Sequence, residues 1–214
     1  MKDICIDSSH IRWTQRADGD FSERRKTETG WSWLNQVHGG IVLVETKPGE
    51  HNGADADAIV STNPDSVLSI ATADCLAIAF VGDNGVIGAA HAGWRGLVAG
   101  VIENTAAKMR ELGAREIKAA SGPCIGPECY EFDPDRLNEL ANTFGPEIIS
   151  ETAWKTPALN LHKSKSVALS RAGVELVHEE LTCTACNKDD YFSARARNEG
   201  ERMAMIVWRD SLTG

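Results

Sequence analysis

Short apolar runs follow one another closely from residue 41 to residue 90. They are rich in β-branched residues and are bounded by Gly, Asn or Asp, and several of them do not alternate with polar residues. Continuous apolar runs of this length are typical of strands that are buried on both faces. The pattern predicts strands at Ile41–Val44, Ala58–Val60, Val67–Ala71, Leu76–Val81 and Val86–Ala90.

Helical spacing is clearest directly after the last of these runs. Apolar residues on one stripe predict a helix over Leu97–Leu112. Asp133 followed by Pro134 predicts the start of a second helix, because Asp is a good N-cap and Pro suits the first helical position. That helix is expected to end at about Phe144, and a third is expected over His162–Ala172.

Weaker signals lie towards both ends of the chain. Residues 1–30 are polar and irregular, so we interpret them as loop with two short strand candidates. The further strand candidates are Ile4–Ile6, Ile11–Thr14, Glu116–Ala120, Val174–Val177, Tyr191–Ala194 and Met203–Trp208. Because strands and helices mix without a strict βα repeat, the sequence predicts an α+β fold in a single domain over residues 1–214.

A net charge of −9, from 22 Lys and Arg against 31 Asp and Glu, bears on the expected partners. No basic field extends over the whole domain to hold a phosphate backbone, so we expect no nucleic-acid partner, although a few local Arg residues could still bind a small anion. No apolar segment approaches the roughly 18 to 20 residues of a membrane span, and the N-terminus lacks the apolar core of a secretory signal. We therefore expect a cytoplasmic protein without a membrane partner, in which the six cysteines are free thiols.

Three polar segments stand at the ends of predicted buried elements, where ligand sites commonly form. They are Gln36-Val37-His38-Gly39-Gly40, Thr72-Ala73-Asp74-Cys75 and His91-Ala92-Gly93-Trp94-Arg95-Gly96. Two histidines and one cysteine, His38, Cys75 and His91, are good ligands for a catalytic zinc, which keeps a fourth position open. Each residue also has an ordinary structural interpretation, as a hydrogen-bonded His or a buried thiol, with Asp74 as a cap.

Three later segments are also unusual for their residue types. Cys183-Thr184-Ala185-Cys186 is a CxxC motif that fits a redox pair, half of a metal site or neither, and no second CxxC exists to complete a paired four-cysteine site. The loop over residues 122–130 is rich in Gly and Pro and would form a pocket wall or a rigid crossover. Arg195 and Arg197 are candidates for binding phosphate or carboxylate, or else are solvated.

Several of these segments together resemble one known family. The matching segments are Asn35-Gln36-Val37-His38-Gly39, Ala56-Asp57-Ala58-Ile59-Val60, Thr72-Ala73-Asp74-Cys75-Leu76, Ala90-His91-Ala92-Gly93-Trp94-Arg95-Gly96, Gly122-Pro123-Cys124-Ile125-Gly126-Pro127, Cys129-Tyr130-Glu131 and Phe192-Ser193-Ala194-Arg195. In order and rough spacing, from about residue 31 to the C-terminus, they are similar to the laccase-domain "polyphenol oxidase" family. That family is better described as purine nucleoside phosphorylases with adenosine deaminase activity.

The resemblance implies a fold, a metal and two reactions. The fold would be a four-layer α/β/β/α sandwich with mixed sheets. One Zn²⁺ per chain would be held by His38, Cys75 and His91. The reactions would be phosphorolysis of adenosine, inosine, guanosine and methylthioadenosine, and hydrolytic deamination of adenosine. The partners are then a purine nucleoside and phosphate, and we expect a monomer or weak homodimer.

Residue roles are inferred from the chemistry that these reactions need. Asp74, beside the zinc ligand Cys75, is the candidate for moving protons, or else it only orients the metal ligands. Gln36, Arg95 and Arg195 would bind substrate, and the two arginines are candidates for holding phosphate. The chain also departs from the family pattern. The segment before Gln36 is short, the usual Arg pair near Arg195 is interrupted by an Ala, and Glu-Arg replaces Gly-Arg before the last predicted strand.

Other readings remain open at this point. Cys75 could be the nucleophile of an amide hydrolase that edits peptidoglycan precursors, with His91 as its base. A copper-linked phenol oxidase is disfavoured, because a multicopper site needs about ten histidines and the chain has six. A binding module without catalysis would hold a metal but show no turnover.

Overall fold

A computed structural model of the chain describes residues 2–210. Its strands are β1 Lys2–Ile6, β2 Ser9–Trp13, β3 Trp31–Ser32, β4 Val42–Glu45, β5 Ala58–Ser61, β6 Val67–Thr72, β7 Leu76–Gly82, β8 Ile87–Ala92, β9 Ile117–Ser121, β10 Ile149–Glu151, β11 Pro157–Leu159, β12 Glu175–Glu179 and β13 Met203–Arg209. Its α-helices are α1 Phe21–Thr27, α2 Trp94–Val98, α3 Val101–Glu111, α4 Pro134–Phe144, α5 Leu161–Arg171 and α6 Ala194–Arg197. None of these helices is long and apolar enough to cross a membrane.

The strands form two mixed sheets and one small ribbon. The five-stranded sheet has the order β1-β2-β13-β6-β3, and the six-stranded sheet has the order β12-β9-β7-β8-β5-β4. Within them β3–β6, β4–β5 and β9–β12 are parallel pairs, whereas the other pairs are antiparallel. Strands β10 and β11 form the ribbon. The predicted mixed sheets and α+β class are confirmed.

Alternation along β7 explains how the two sheets pack. Ala77 and Ala79 belong to the core between the sheets, where they meet residues of the facing sheet such as Ile70 and Met205. The intervening Ile78 and the following Phe80 belong to a second core, on the outer face of the six-stranded sheet. Because successive side chains of a strand point to opposite faces, one apolar run covers both faces.

Helices cover the outer faces of both sheets. Buried residues of α3, α4 and α5, such as Met109, Leu140 and Leu169, pack on the six-stranded sheet. On the other side Phe21 of α1 packs against Ala204 and Ile206 of β13. The layer order is therefore α/β/β/α, as the resemblance implies.

Two predicted elements differ from the structure, one because of a glycine and the other because of a helix N-cap. The helix predicted over Leu97–Leu112 is divided into α2 and α3 by Gly100, whose φ of 74° lies in the left-handed region that favours glycine. The strand predicted over Tyr191–Ala194 is wrong, because Ser193 is the N-cap of α6 and its side chain accepts the N–H of Ala196.

The interpretation of residues 1–30 as loop is also wrong in part. It overlooks α1, which begins at Phe21 because the side chain of the preceding N-cap residue, Asp20, accepts the Ser22 N–H. It also gives too short a β1, whereas the pairing of β1 with β2 runs from Lys2 opposite Trp13 to Ile6 opposite Ser9. Two basic residues of α1, Arg25 and Lys26, line the cavity that holds the candidate site.

Candidate functional site

His38, Cys75 and His91 meet on the floor of a cavity of about 970 Å³. One donor atom from each lies within 4.8 Å of the others, and we call this group the His-Cys-His site. His38 lies in a turn after β3, Cys75 directly precedes β7, and His91 lies in β8. Antiparallel pairing of β7 with β8 places His91 opposite Ala77, so it lies close to Cys75 despite the intervening sequence.

Asp57 accepts hydrogen bonds that position His38 and His91. Its Oδ1 accepts the Nδ1 of His91 at 2.8 Å and the backbone N–H of His38 at 2.9 Å. Its Oδ2 accepts the N–H of Gly39 at 2.5 Å and that of Val37 at 3.2 Å. The carboxylate is fully buried. Bonding of Nδ1 to a carboxylate leaves Nε2 of His91 for a ligand, the usual support of a metal-binding histidine.

The backbone is shaped to bring the donors together. His38 has φ of 61° and Asp74 has φ of 85°, both in the left-handed region that non-glycine residues seldom adopt. A Cβ at Gly93 would lie 2.9 Å from Cys75 Sγ and 3.1 Å from His38 Nδ1. A glycine is therefore needed where β8 leads into α2, since any side chain there would fill the space between the donors.

Electrostatics of the group favour a cation. Burial alone would lower the pKa of His91, but the negative charge of Cys75 and the hydrogen bond to Asp57 raise it to about 9. Burial and the neighbouring charge of His91 lower the pKa of His38. The same anionic surroundings suit a divalent metal ion, so the donor set and its charge fit zinc.

The Asp74 carboxylate is fully engaged with neighbouring segments. Its Oδ1 accepts the Thr184 hydroxyl at 2.6 Å, and its Oδ2 accepts the Ser193 hydroxyl at 2.9 Å and the Arg195 N–H at 2.7 Å. The side chain thus ties the turn before Cys75 to the CxxC segment and to α6.

Four arginines line the cavity wall. They are the two proposed anion ligands, Arg95 and Arg195, together with Arg25 and Arg202, which the sequence did not indicate. The Arg95 guanidinium stacks over Trp94 at 4.6 Å and that of Arg195 over the Tyr130 ring at 4.9 Å. Among residues 2–210 neither guanidinium forms an ion pair with a carboxylate, so both are available to an anion.

The side chain of Gln36 hydrogen-bonds to Arg25, one of the residues that line the cavity. Its amide pairs with the backbone of Ala71, donating to the carbonyl at 2.7 Å and accepting the N–H at 2.9 Å. Its oxygen also accepts Nη1 of Arg25 at 2.8 Å. Burial lowers the pKa of Arg25. The side chain that we expected to contact substrate therefore holds an arginine that faces the cavity.

Of the site residues that the sequence analysis did not single out, Asp57 had a recognisable signal in the sequence, whereas Arg25 and Arg202 had none. Asp57 stood in a matching segment, and an acidic residue at the start of an apolar strand is itself unusual because its burial requires partners. Arg25 and Arg202 lay in stretches without any motif. All seven residues singled out as site candidates line the one cavity, namely Gln36, His38, Asp74, Cys75, His91, Arg95 and Arg195.

Comparison with known proteins gives one family for this chain. A family model described as multi-copper polyphenol oxidoreductase laccase matches residues 15–210. A protein of Streptomyces coelicolor named purine nucleoside phosphorylase is 37% identical over 83% of this chain and 74% of its own length. The Escherichia coli purine nucleoside phosphorylase YfiH is 35% identical over 82% of this chain and 72% of its own length.

Solved structures share the fold over most of the chain. A Neisseria meningitidis protein superimposes with a TM-score of 0.80 at 26% identity, over 97% of this chain and 96% of its own. YlmD from Geobacillus stearothermophilus gives a TM-score of 0.74 at 30% identity, over 85% of this chain and 74% of its own.

Proposed function

Because the chain belongs to the family described as multi-copper polyphenol oxidoreductase laccase, we propose that it is a zinc-dependent purine nucleoside phosphorylase that also deaminates adenosine. The observation that carries the proposal is the His-Cys-His site on the floor of an arginine-lined cavity. A soft and borderline donor set beside cationic side chains suits a metal-activated reaction with an anionic co-substrate. The relatives at 35–37% identity are named purine nucleoside phosphorylase, which supports the phosphorylase part of the proposal.

His38, Cys75 and His91 would hold the zinc as a three-ligand catalytic centre with one position open. When bound, the metal would supply Lewis acidity, polarising the purine or lowering the pKa of a water molecule to about 7. Asp57 keeps His91 in the tautomer that can bind through Nε2. The site has two histidines, whereas a multicopper cluster needs many more, so copper oxidation fits these residues poorly.

Arg95 and Arg195 are the proposed phosphate ligands. Their guanidinium groups lie on aromatic rings of the cavity wall and offer paired N–H donors to phosphate oxygens. Arg25 and Arg202 add positive charge on the same wall. In phosphorolysis these groups would orient phosphate for attack on the ribose carbon that bears the base. In deamination of adenosine no phosphate is consumed, so they are less important.

Asp74 is proposed as a positioning residue. Its carboxylate oxygens already accept three hydrogen bonds, which holds Cys75 on one side and Arg195 on the other. Its effect on catalysis would run through those two neighbours. Loss of this carboxylate would disturb both the metal ligand and a proposed phosphate ligand.

Amide hydrolysis is the second candidate. One observation favours it, because Cys75, His91 and Asp57 are arranged in the order nucleophile, base and orienting carboxylate. This reading predicts activity that thiol alkylation abolishes and metal removal does not. It also leaves His38 without a role.

The direct test incubates the purified chain with adenosine, with and without phosphate, and identifies the products. The proposal expects inosine without phosphate. With phosphate it expects adenine and ribose 1-phosphate as well, and hypoxanthine from phosphorolysis of the inosine that deamination forms. His38→Ala and His91→Ala should abolish all of these products. An absence of nucleoside turnover in folded, zinc-loaded protein would contradict the proposal.

A further inference from the structure

A second cluster of metal-binding groups lies outside the His-Cys-His site. It consists of Glu128, Cys129, Cys183 and Cys186, whose ligand atoms all lie within 4.8 Å of one another; we call it the thiol cluster. The Sγ atoms of Cys129 and Cys186 are 3.3 Å apart, and Cys186 Sγ is 3.5 Å from Glu128 Oε1. The CxxC motif is thus completed by residues from a distant part of the chain.

The separations match the size of a tetrahedral zinc site. With Zn–S bonds of about 2.3 Å, tetrahedral geometry places sulfur ligands roughly 3.8 Å apart. The two sulfur atoms of Cys129 and Cys186 are 3.3 Å apart, and no two ligand atoms of the cluster are more than 4.8 Å apart, so the separations bracket that value. Three thiols and one carboxylate make four ligands, which is the complete shell of a structural zinc rather than the open shell of a catalytic one.

Local structure arranges the four donors towards one another. Gly126 donates its N–H to Cys183 Sγ at 3.1 Å, a contact that stabilises a thiolate. A Cβ at Gly126 would collide with the Glu128 carboxylate, so the glycine allows that carboxylate to fold back towards the thiols. The short 3-10 turn Pro127–Cys129 presents two consecutive donors.

The thiol cluster joins two segments that reach the other site. Thr184, inside the CxxC motif, donates its hydroxyl to Asp74 at 2.6 Å and its N–H to the Cys124 carbonyl at 3.1 Å. Arg197 donates to the carbonyl of Ala185 at 2.9 Å. A metal at the thiol cluster would therefore fix the loop that supports Asp74.

We propose that Glu128, Cys129, Cys183 and Cys186 bind a structural zinc ion, in addition to the metal at the His-Cys-His site. Binding releases the thiol protons and closes the contact between the CxxC loop and the turn Pro127–Cys129. The exposed Cys186 gives the ion a route of entry. This inference does not depend on the nucleoside reaction.

Zinc content of the full chain, purified with a thiol reductant, tests the proposal. We expect about two zinc ions per chain in the wild type, and one after loss of a complete site. Cys129→Ser combined with Cys186→Ser should lose one equivalent, and His38→Ala combined with His91→Ala should lose the other. Cys5→Ser is the matched control, because this exposed thiol belongs to neither group, and should keep both.

Cobalt substitution identifies the ligands independently. In the His38→Ala, His91→Ala background, Co²⁺ should give strong thiolate charge-transfer absorption, and Cys186→Ser should weaken it. If the doubly substituted cysteine variant does not fold, the single Cys186→Ser variant should still release its second zinc faster to a chelator than the wild type does. Equal release by these two proteins would overturn the proposal.

Two further results would also overturn it. One is a zinc content of one per chain in reduced wild type, lost entirely with His38→Ala and His91→Ala. The other is a disulfide between Cys129 and Cys186 that persists under reductant, seen by thiol counting in denaturant and by a mass lower by two hydrogen atoms.

Discussion

Asp57 accepts a hydrogen bond from Nδ1 of His91 at 2.8 Å, and both side chains are buried. The same carboxylate accepts the backbone N–H groups of Val37, His38 and Gly39. One acidic residue therefore sets the direction of one proposed ligand and the turn that carries another. Substitution of Asp57 should therefore disturb two proposed ligands at once, although Asp57 is not itself a proposed ligand.

Asp57→Asn should weaken zinc binding at the His-Cys-His site by roughly 10- to 100-fold. An amide has one acceptor oxygen in place of two, so some of the four donors would be left without a partner. The measurement is competition for zinc with a chromophoric chelator. Asp55→Asn, at an exposed neighbouring carboxylate, is the control and should bind as the wild type does.

Gly93→Ala should abolish zinc binding and activity without unfolding the chain. The added methyl group would lie 2.9 Å from Cys75 Sγ and 3.1 Å from His38 Nδ1, where it displaces the donors. Gly200→Ala is the matched control, because a Cβ there meets nothing within 4 Å. Zinc content and circular dichroism of both variants decide the matter, and a zinc-loaded, active Gly93→Ala protein would refute this geometry.

Arg95→Ala should reduce phosphorolysis more than deamination. Loss of a charged hydrogen-bond donor to phosphate costs about 1.5–3 kcal/mol, which is roughly a 10- to 150-fold fall in kcat/KM for phosphate. Arg195→Ala should behave in the same way. Adenosine deamination, measured on the same samples, should stay near the wild-type rate. Exposed Arg115 provides the control substitution to Ala, and equal loss of both reactions in Arg95→Ala would exclude a phosphate role.

Glu199→Gln should lower stability at neutral pH but not in acid. Partial burial would raise the pKa of Glu199, but hydrogen bonds from the Ser193 N–H, Arg16 and Arg197 lower it to about 2. Since the pKa of the folded state lies below the ordinary value of 4.5, the stabilisation is present above that value. It is lost as the pH falls towards 2.

Urea unfolding between about pH 7 and pH 3 measures this difference. The gap between the wild type and Glu199→Gln should shrink below about pH 4.5. Glu201→Gln, at an exposed carboxylate, should follow the wild type throughout. A gap that grows on acidification would contradict the assigned hydrogen bonds.

Strands were predicted best where burial alone decides the structure. The run Leu76–Val81 coincides with most of β7, because a strand between a second sheet and a helical layer needs apolar residues on both faces. Helix α1 was missed because Phe21 is its sole buried residue among the described positions of that helix. With one buried residue, the helix has no repeated apolar positions from which a helical periodicity could be recognised.

The candidate site was predicted through its motifs rather than its spacing. His38, Cys75 and His91 are far apart in sequence, and only the pairing of β7 with β8 and the turn on Asp57 bring them together. Half of the thiol cluster, the CxxC motif, could be recognised in the sequence. Nothing in the sequence indicated that Cys129 lies beside Cys186. Such contacts arise from the tertiary fold and leave no local pattern.

The central claim is that zinc at His38, Cys75 and His91 is required for phosphorolysis of purine nucleosides. Stepwise removal of metal from the wild-type chain, with zinc content and ribose 1-phosphate formation measured on the same samples, tests it most directly. We predict that activity disappears with the zinc and returns when zinc is added back, and that His91→Ala is not restored. Full phosphorolysis by zinc-free protein would contradict the claim.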